Sequence, residues 1–429
     1  MPTRLLIAGA SVRAQVQSAL RAGYSVTALD LFADRDTRWI IEQPSDKLSS
    51  IGRIDQYRDV LERRRELESC DAAIICGGIE NRIELVRELE DRIELLGLNS
   101  SKLLRLQDPL ELNRVLEDGL GESGARIPRN FAQIPKESDA TGWLSKRIGS
   151  SGGLGVEPVQ CRSVSDQAVG PQCASGKYFQ QRIAGENISV LFVSSAQAEN
   201  LKTTCKVIGV TQQLVGDTRL GAKQFQYCGS MGPFMPGQPI GLPEIELGGS
   251  RIGQIKSVGE FLTREFGLVG VWGIDFIINE SGAWPVDVNP RLTASGELYE
   301  SIISTDSEFK SVIDLHVNAC LGSSEFWKRS IGKLGAGAEL KLVEGKAILF
   351  NRTDNEIEIT ARISDALMSQ FDFGFFDGQQ LGVTVVDVPC SGQSIKVGHP
   401  LLTVRVRCHS AEEVQLKLRE TAEQIYRCL

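Results

Sequence analysis

The stretch Val269–Arg291, written VGVWGIDFIINESGAWPVDVNPR, decides how the rest of this 429-residue chain is read. Side chains alternate between the faces of a strand. Trp272, Ile274, Phe276 and Ile278 therefore share one apolar face, while Gly273 and Asp275 lie on the other. The return strand repeats the arrangement, with Val286 and Val288 on one face and Asp287 and Asn289 on the opposite one. Ser281-Gly282 marks the turn between them. A four-residue loop, Asn279–Gly282, sets Asp275 opposite Pro285 or Val286, and a bulge next to the loop brings Asp287 directly across. Two carboxylates and an amide oxygen gathered in this way make an all-oxygen site suited to Mg²⁺ bridging nucleotide phosphates. Taken alone, the same pattern is equally a half-exposed hairpin with a solvated polar face.

Two earlier segments add to it. Trp143–Val156, WLSKRIGSSGGLGV, reads as a strand carrying Lys146 that opens into Gly149, Ser150, Ser151, Gly152, Gly153, Leu154 and Gly155. Glycines at this density let backbone amides turn towards an anion and cover phosphates. Lys146 is placed to meet phosphate oxygens as a point charge. The loop is neither a Walker A loop nor a GxGxxG turn, and a Gly/Ser-rich run by itself is more often a flexible connector. Tyr178–Ser189, YFQQRIAGENIS, offers an extended backbone over Phe179–Ile183 that can read an adenine edge. Glu186 follows the Ala184-Gly185 turn and can accept hydrogen bonds from ribose hydroxyls. By itself this segment is an ordinary strand and turn.

Further out, Arg4–Ala8, Ser25–Asp30 and Ala72–Cys76 read as strands alternating with helical patterns over Ala14–Ala22, Asp55–Leu67 and Arg82–Leu96. That alternation implies a parallel sheet covered by helices. Asn99–Lys102 with Asp108-Pro109 marks a crossing into the next domain. After the hairpin, Ser307–Leu321 is helical. From about Glu325 the chain is β-rich, with turns at Gly374, Asp377-Gly378 and Ser391-Gly392 and a final amphipathic helix, Ala411–Arg427.

Composition narrows the classes. The net charge of −8 argues against a nucleic-acid partner. No apolar run spans a bilayer, and the N-terminal apolar stretch lacks a signal-peptide cleavage pattern. The expectation is a cytoplasmic protein. The ten cysteines form no CxxC pair and there are three histidines, His316, His399 and His409, so a metal would be held by carboxylates.

The order of these segments carries a resemblance. Strand lysine, glycine loop, hinge strand with glutamate, and the Asp…Asp-x-Asn-Pro-Arg hairpin resemble the motif succession of the ATP-grasp superfamily. So do RLLIAGASVRAQVQSALRAGYSVTALD at Arg4–Asp30 and DPLELNRVLEDGLGESGARIPRNF at Asp108–Phe131. The resemblance implies an α/β (α+β overall) protein. Its parts would be an N-terminal parallel-sheet domain at 1–106, an ATP-grasp fold of two α+β subdomains at 107–324 and a small β-rich C-terminal domain at 325–429. It implies a ligase that joins a small-molecule carboxylate to an amine through an acyl phosphate, using ATP and Mg²⁺, or Mn²⁺ in its place. By that match Lys146 and Gly149–Gly155 bind phosphate, and Gln180, Gln181 and Ile183 lie in the adenine hinge. Glu186 meets the ribose, Asp275, Asp287 and Asn289 hold the metal, and Arg291 faces the γ-phosphate or acyl phosphate. Asp287 departs from the superfamily, which usually has glutamate there.

VDVNPRLTASGELYE (Val286–Glu300) and QFQYCGSMGPF (Gln224–Phe234) are similar to the subgroup containing tyramine–glutamate ligase. They are similar also to bacterial proteins of methanopterin-linked one-carbon metabolism. That resemblance makes Thr293 and Ser295 substrate candidates, with Lys223 a further one, although helix capping or turn chemistry accounts for Thr293 and Ser295 equally well. VVDVPCSGQSIKVGHPLLTV (Val385–Val404) resembles the closing β-rich domain of several such enzymes. It lacks the lysine between methionines of a biotinyl loop. Two other functions stay open, an ATP-dependent carboxylase-type enzyme and a nucleotide-binding regulator with little turnover. A homodimer is a common outcome for such folds.

Overall fold

Short, mostly apolar runs build the N-terminal layer. Strands β1 (Arg4–Gly9), β2 (Ser25–Asp30), β3 (Ser50–Arg53) and β4 (Ala72–Ile75) pair in parallel in the order β3-β2-β1-β4. The computed structural model describes residues 2–43, 48–121, 125–134, 140–159, 176–195, 205–234, 249–306, 308–322, 324–331, 334, 342–370, 376 and 380–429. The helix Arg13–Ala22 ends where Gly23 turns left-handed at φ 91°. At the end of β2, the Asp30 carboxylate accepts from the backbone N–H groups of Val12, Phe32 and Ala33, so one side chain fixes two loops.

The parallel sheet agrees with the sequence reading; β3 and the helix Arg35–Glu42 were not foreseen, and the Asp55–Leu67 pattern forms a 3₁₀ turn at Tyr57–Glu62 and a short helix at Arg64–Glu68. The turns read at Gly374 and Asp377-Gly378 lie outside the described residues.

A small antiparallel sheet follows, in the order β5-β8-β6-β7: β5 (Asn130–Phe131), β6 (Trp143–Arg147), β7 (Val156–Pro158) and β8 (Lys177–Gln181). A large antiparallel sheet of eight strands dominates the remainder. It contains β9 (Glu186–Ser194), β10 (Cys205–Val215), β11 (Tyr227–Phe234), β12 (Gly270–Asn279) and β13 (Gly282–Asn289). It is extended by β14 (Val343–Phe350), β16 (Gly382–Val386) and β18 (Pro400–Cys408), in the order β13-β12-β9-β10-β11-β14-β18-β16. The strands β15 (Ile357–Glu358) and β17 (Ser394–Ile395) pair separately. The boundary read at 324/325 falls inside the helix Ser324–Ile331, and the sheet runs on across it.

The apolar face of Trp272, Ile274, Phe276 and Ile278 is wholly buried, each side chain contributing about 2–3 kcal/mol. Trp272 stacks on Phe192 at 4.7 Å and donates its indole N–H to Ser194. The helix Gly249–Phe266 lies so close that a Cβ on Gly259 would come within 2.3 Å of the Phe192 ring. His316, in the helix Val312–Leu321, ties the layers together: Nδ1 accepts from the Val271 N–H at 2.9 Å and Nε2 lies 3.1 Å from the Leu96 carbonyl. Burial holds that ring neutral, its pKa brought down to about 4. Among the described residues no helix is long and apolar enough to cross a membrane.

Candidate functional site

The hairpin turns on Glu280-Ser281, with Asn279 opposite Gly282 and Phe276 opposite Pro285. Val286 is then the extra residue of a bulge, so Asp275 faces Asp287 and Gly273 faces Asn289. The bulge therefore lies beside the carboxylates, not next to the loop as the sequence suggested. Its effect is chemical: Val286 is pushed out of register and its carbonyl accepts from Lys146 Nζ at 3.0 Å. Burial and the facing Asp287 push the Asp275 carboxyl up to about 6, against hydrogen bonds from Ser189, Gln213 and Asn289. Burial raises Asp287 as well, against the pull of Lys146 and Arg291. Neither aspartate has an ion pair among the described residues. Two like charges held face to face without a cation are a donor set short of one positive partner, and Asn289 adds an amide at 3.3 Å from Asp275. The set fits a hard cation that also takes phosphate oxygens.

Lys146 projects from β6 to the rim of this pair and also meets Gln180 Oε1 at 3.1 Å. Burial works against its charge, but Tyr178, Asp287 and Asp275 outweigh it and hold the ammonium above the ordinary lysine range. The loop after β6 folds back over the large sheet. Gly149, Gly152, Gly153 and Gly155 all have positive φ. At Gly153 no other residue fits, since a Cβ would sit 1.8 Å from the Phe225 carbonyl oxygen. The Gly152 carbonyl accepts from the Tyr227 N–H at 3.0 Å, fastening the loop to β11. Phe225 itself is held at φ 65°, a strained conformation for a bulky residue.

These parts enclose a cavity of about 850 Å³, large enough for a nucleotide and a second ligand. One end is apolar, with Leu112, Leu116, Ile127, Leu144 and Ile183. The other end is polar and holds Asp275, Asp287, Asn289, Arg291, Thr293 and Ser295. Gly149, Ser150, Ser151, Gly152 and Gly153 line it, whereas Gly155 does not. Gln181 lines it too, while its Oε1 is within 3.3 Å of the Arg129 N–H. Gln180 lines it as well, and its side chain lies between Lys146 Nζ and the Val286 carbonyl. Gly185 and Asn187 line the cavity, whereas Glu186 between them does not. Lys223 is exposed, away from the cavity wall, with its Cε 3.4 Å from where a Cβ on Gly398 would stand. Thr293 and Ser295 hydrogen-bond each other at 2.9 Å.

Sequence reading missed the contribution of the N-terminal layer. Glu80 and Asn81 follow β4 and line the polar end, and Arg291 Nε donates to Glu80 Oε1 at 2.5 Å. The available signal was position: in open α/β sheets, ligands collect at the carboxyl ends of strands. Ser189, Gln213 and Tyr227, also unforeseen, line the floor from β9, β10 and β11.

Residues 114–295 match the family model of the ATP-grasp domain. Over nearly its whole length the fold is similar to three solved structures. With N5-carboxyaminoimidazole ribonucleotide synthetase from Thermotoga maritima the TM-score is 0.60 at 14% identity, covering 99% of this chain and 98% of that one. With L-amino acid ligase from Bacillus licheniformis it is 0.62 at 15% identity, covering 98% and 97%. With the biotin carboxylase domain of 2-oxoglutarate carboxylase from Hydrogenobacter thermophilus, solved with MgADP, ADP and bicarbonate, it is 0.60 at 13% identity, covering 98% and 89%. At these identities the likeness is one of fold. By sequence, no curated protein matches the chain.

Proposed function

We propose, from the match of residues 114–295 to the ATP-grasp domain model and from the geometry of the site, that this chain is an ATP-dependent carboxylate–amine ligase working through an acyl phosphate. The observation that carries this reading is the facing pair Asp275 and Asp287, without a cation of its own, beside Lys146 and Arg291 at the polar end of a nucleotide-sized cavity. The apolar end takes the adenine, with the backbone near Gln181 and Ile183 at its edge. Asp275, Asp287 and Asn289 hold Mg²⁺, or Mn²⁺ in its place, which when bound neutralises phosphate charge.

A substrate carboxylate oxygen attacks the γ-phosphorus, the bond to the β-phosphate oxygen breaks, and ADP leaves. An amine then attacks the acyl carbon, the bond to the phosphate oxygen breaks, and the departing phosphate carries off the proton that the nitrogen loses. Such transfers need positioning and charge neutralisation more than covalent help. Lys146 and Arg291 supply cationic donors, and the amides of Gly149–Gly153 supply dipoles that need no reorganisation. The fastened glycine loop excludes water, which would hydrolyse the acyl phosphate. On the similarity carried by Val286–Glu300, amino acids and pterin-linked acids are the carboxylates to try first, with Thr293 and Ser295 orienting them.

The test is Mg²⁺-dependent ADP release across pools of carboxylates and amines, beside an Asp287→Ala control. Release that requires one acid and one amine, and is lost in the control, is the expected result. Release driven by bicarbonate alone would replace the reading with a carboxylase-type one. ATP binding without stimulated release from any pool would replace it with a nucleotide-binding regulator.

A further inference from the structure

Arg291 reaches the reaction end of the cavity from the segment just after β13, yet its most intimate partner comes from the N-terminal layer. Glu80 sits in the turn after β4, is 4% exposed, and accepts from Arg291 Nε through Oε1. Its second oxygen is taken by the Gly78 N–H at 2.6 Å, and its own carbonyl accepts from Gln107 at 2.6 Å. The carboxylate is therefore pinned before Arg291 meets it. The turn is shaped for this contact: a Cβ on Gly77 would stand 3.6 Å from the guanidinium carbon, so the guanidinium lies flat against backbone. Of the remaining donors, one terminal nitrogen reaches the Leu292 carbonyl at 3.0 Å and the other Asn289 Oδ1 at 3.4 Å. Each terminal nitrogen carries a second hydrogen, for which the structure gives no partner among the described residues.

We propose that Glu80 is a positioning residue for Arg291: it holds the Nε side of the guanidinium so that the spare terminal N–H groups meet the γ-phosphoryl group. The inference rests on the ATP-site reading above. With both carboxylate oxygens engaged, Glu80 acts through Arg291 and not as a base. A freed guanidinium on its long stem samples many rotamers, and ordering it again on each binding event costs affinity for the group it should meet. ADP, which lacks that group, does not sense the difference.

The experiment measures the affinity of the full chain for a non-hydrolysable ATP analogue and for ADP, both with Mg²⁺, in wild type, Glu80→Ala, Glu80→Gln, Arg291→Ala and the double variant. The expected result is that Glu80→Ala weakens the analogue by about tenfold, as loss of an aligned charge-assisted bond does, and changes ADP by less than about twofold. Glu80→Gln, whose amide oxygen still accepts from Nε, should recover part of the loss. The double variant should be no weaker than Arg291→Ala alone, because Glu80 has nothing left to position. An unchanged ratio of analogue to ADP affinity in Glu80→Ala would overturn the proposal, as would equal loss of both nucleotides or additive losses in the double variant. A wild-type chain that binds neither nucleotide would instead sink the ATP-site reading itself.

Discussion

Two groups of charges lie on either side of the segment Leu292–Ser295, and they are built on opposite principles. On the cavity side, Asp275 and Asp287 face each other with no ion pair among the described residues. On the far side, Glu297 is buried among Arg13, Lys346 and Arg405. Arg13 reaches it at 2.9 Å, Lys346 at 2.5 Å and Arg405 at 3.5 Å. Glu344 takes Arg405 and Arg407, while Asp387 and Asp36 flank Arg13. Here four cations meet four carboxylates, and Glu297 and Glu344 are answered within the protein, while burial and Asp387 still push Asp36 up to about 6. Burial would raise the pKa of Glu297, but Arg13, Lys346 and Arg405 hold it far below the usual carboxylate range. A closed network has nothing left to offer a ligand, whereas an open one is a standing demand for a cation. The two are joined mechanically, since Lys346 also donates to the Ala294 carbonyl at 3.0 Å and so braces the wall that carries Thr293 and Ser295.

Breaking the closed network should have the largest effect. Glu297→Ala leaves Arg13, Lys346 and Arg405 buried without their shared carboxylate, and a cost of about 3–5 kcal/mol is expected, read as a lower urea midpoint. An unchanged midpoint would mean that the network is dispensable.

In the open cluster the same kind of change should act the other way. Asp275→Asn removes like-charge repulsion, so the melting temperature of the nucleotide-free protein should hold or rise. ADP release should fall by roughly 10²-fold or more, the scale seen when one preorganised charge-stabilising group is lost. A drop in melting temperature would put Asp275 with the structural charges.

The mildest test is pH, where the signs oppose each other. Glu297 has a folded pKa below its unfolded value, so its stabilisation is complete above about pH 4.3 and is lost as pH falls further. Asp275, at about 6 when folded, penalises folding above that pH; the penalty is relieved as pH falls through 6 towards its unfolded value of 3.8. Melting curves from pH 7 to pH 3 should show Asp275→Asn flattening the change near pH 6 and Glu297→Gln flattening the one below pH 4.3. Identical pH profiles for both variants would contradict the comparison.

Much of the open cluster was readable because its elements are local. The alternation in Trp272–Ile278, the Asp-x-Asn of the return strand and the glycines after Lys146 each state their geometry within a few residues. The closed network was not readable for the opposite reason. Lys346, Arg405 and Arg407 sit at alternating positions of β14 and β18 that look like a solvated face, and only the arrival of Arg13 and Glu297 from distant parts of the chain buries them. Glu80 escaped for the same reason, as its partner is Arg291, 211 residues away. The strand that carries Gln180 is legible from its own residues, but the contacts of its side chain with Lys146 and the Val286 carbonyl come from elsewhere in the chain.

The continuity of the large sheet has a consequence for how this chain can be divided. β11 lies mid-sheet only because β14, supplied after residue 324, pairs with it at Gly229–Gly232. A fragment ending at the boundary read from the sequence would turn β11 into an open border, with a row of N–H and C=O groups bared along a strand whose side chains are almost all buried. Such borders recruit other strands, so the severed piece would trade its missing neighbour for copies of itself. The last third of the chain thus seals the border of the sheet whose other strands carry the cavity.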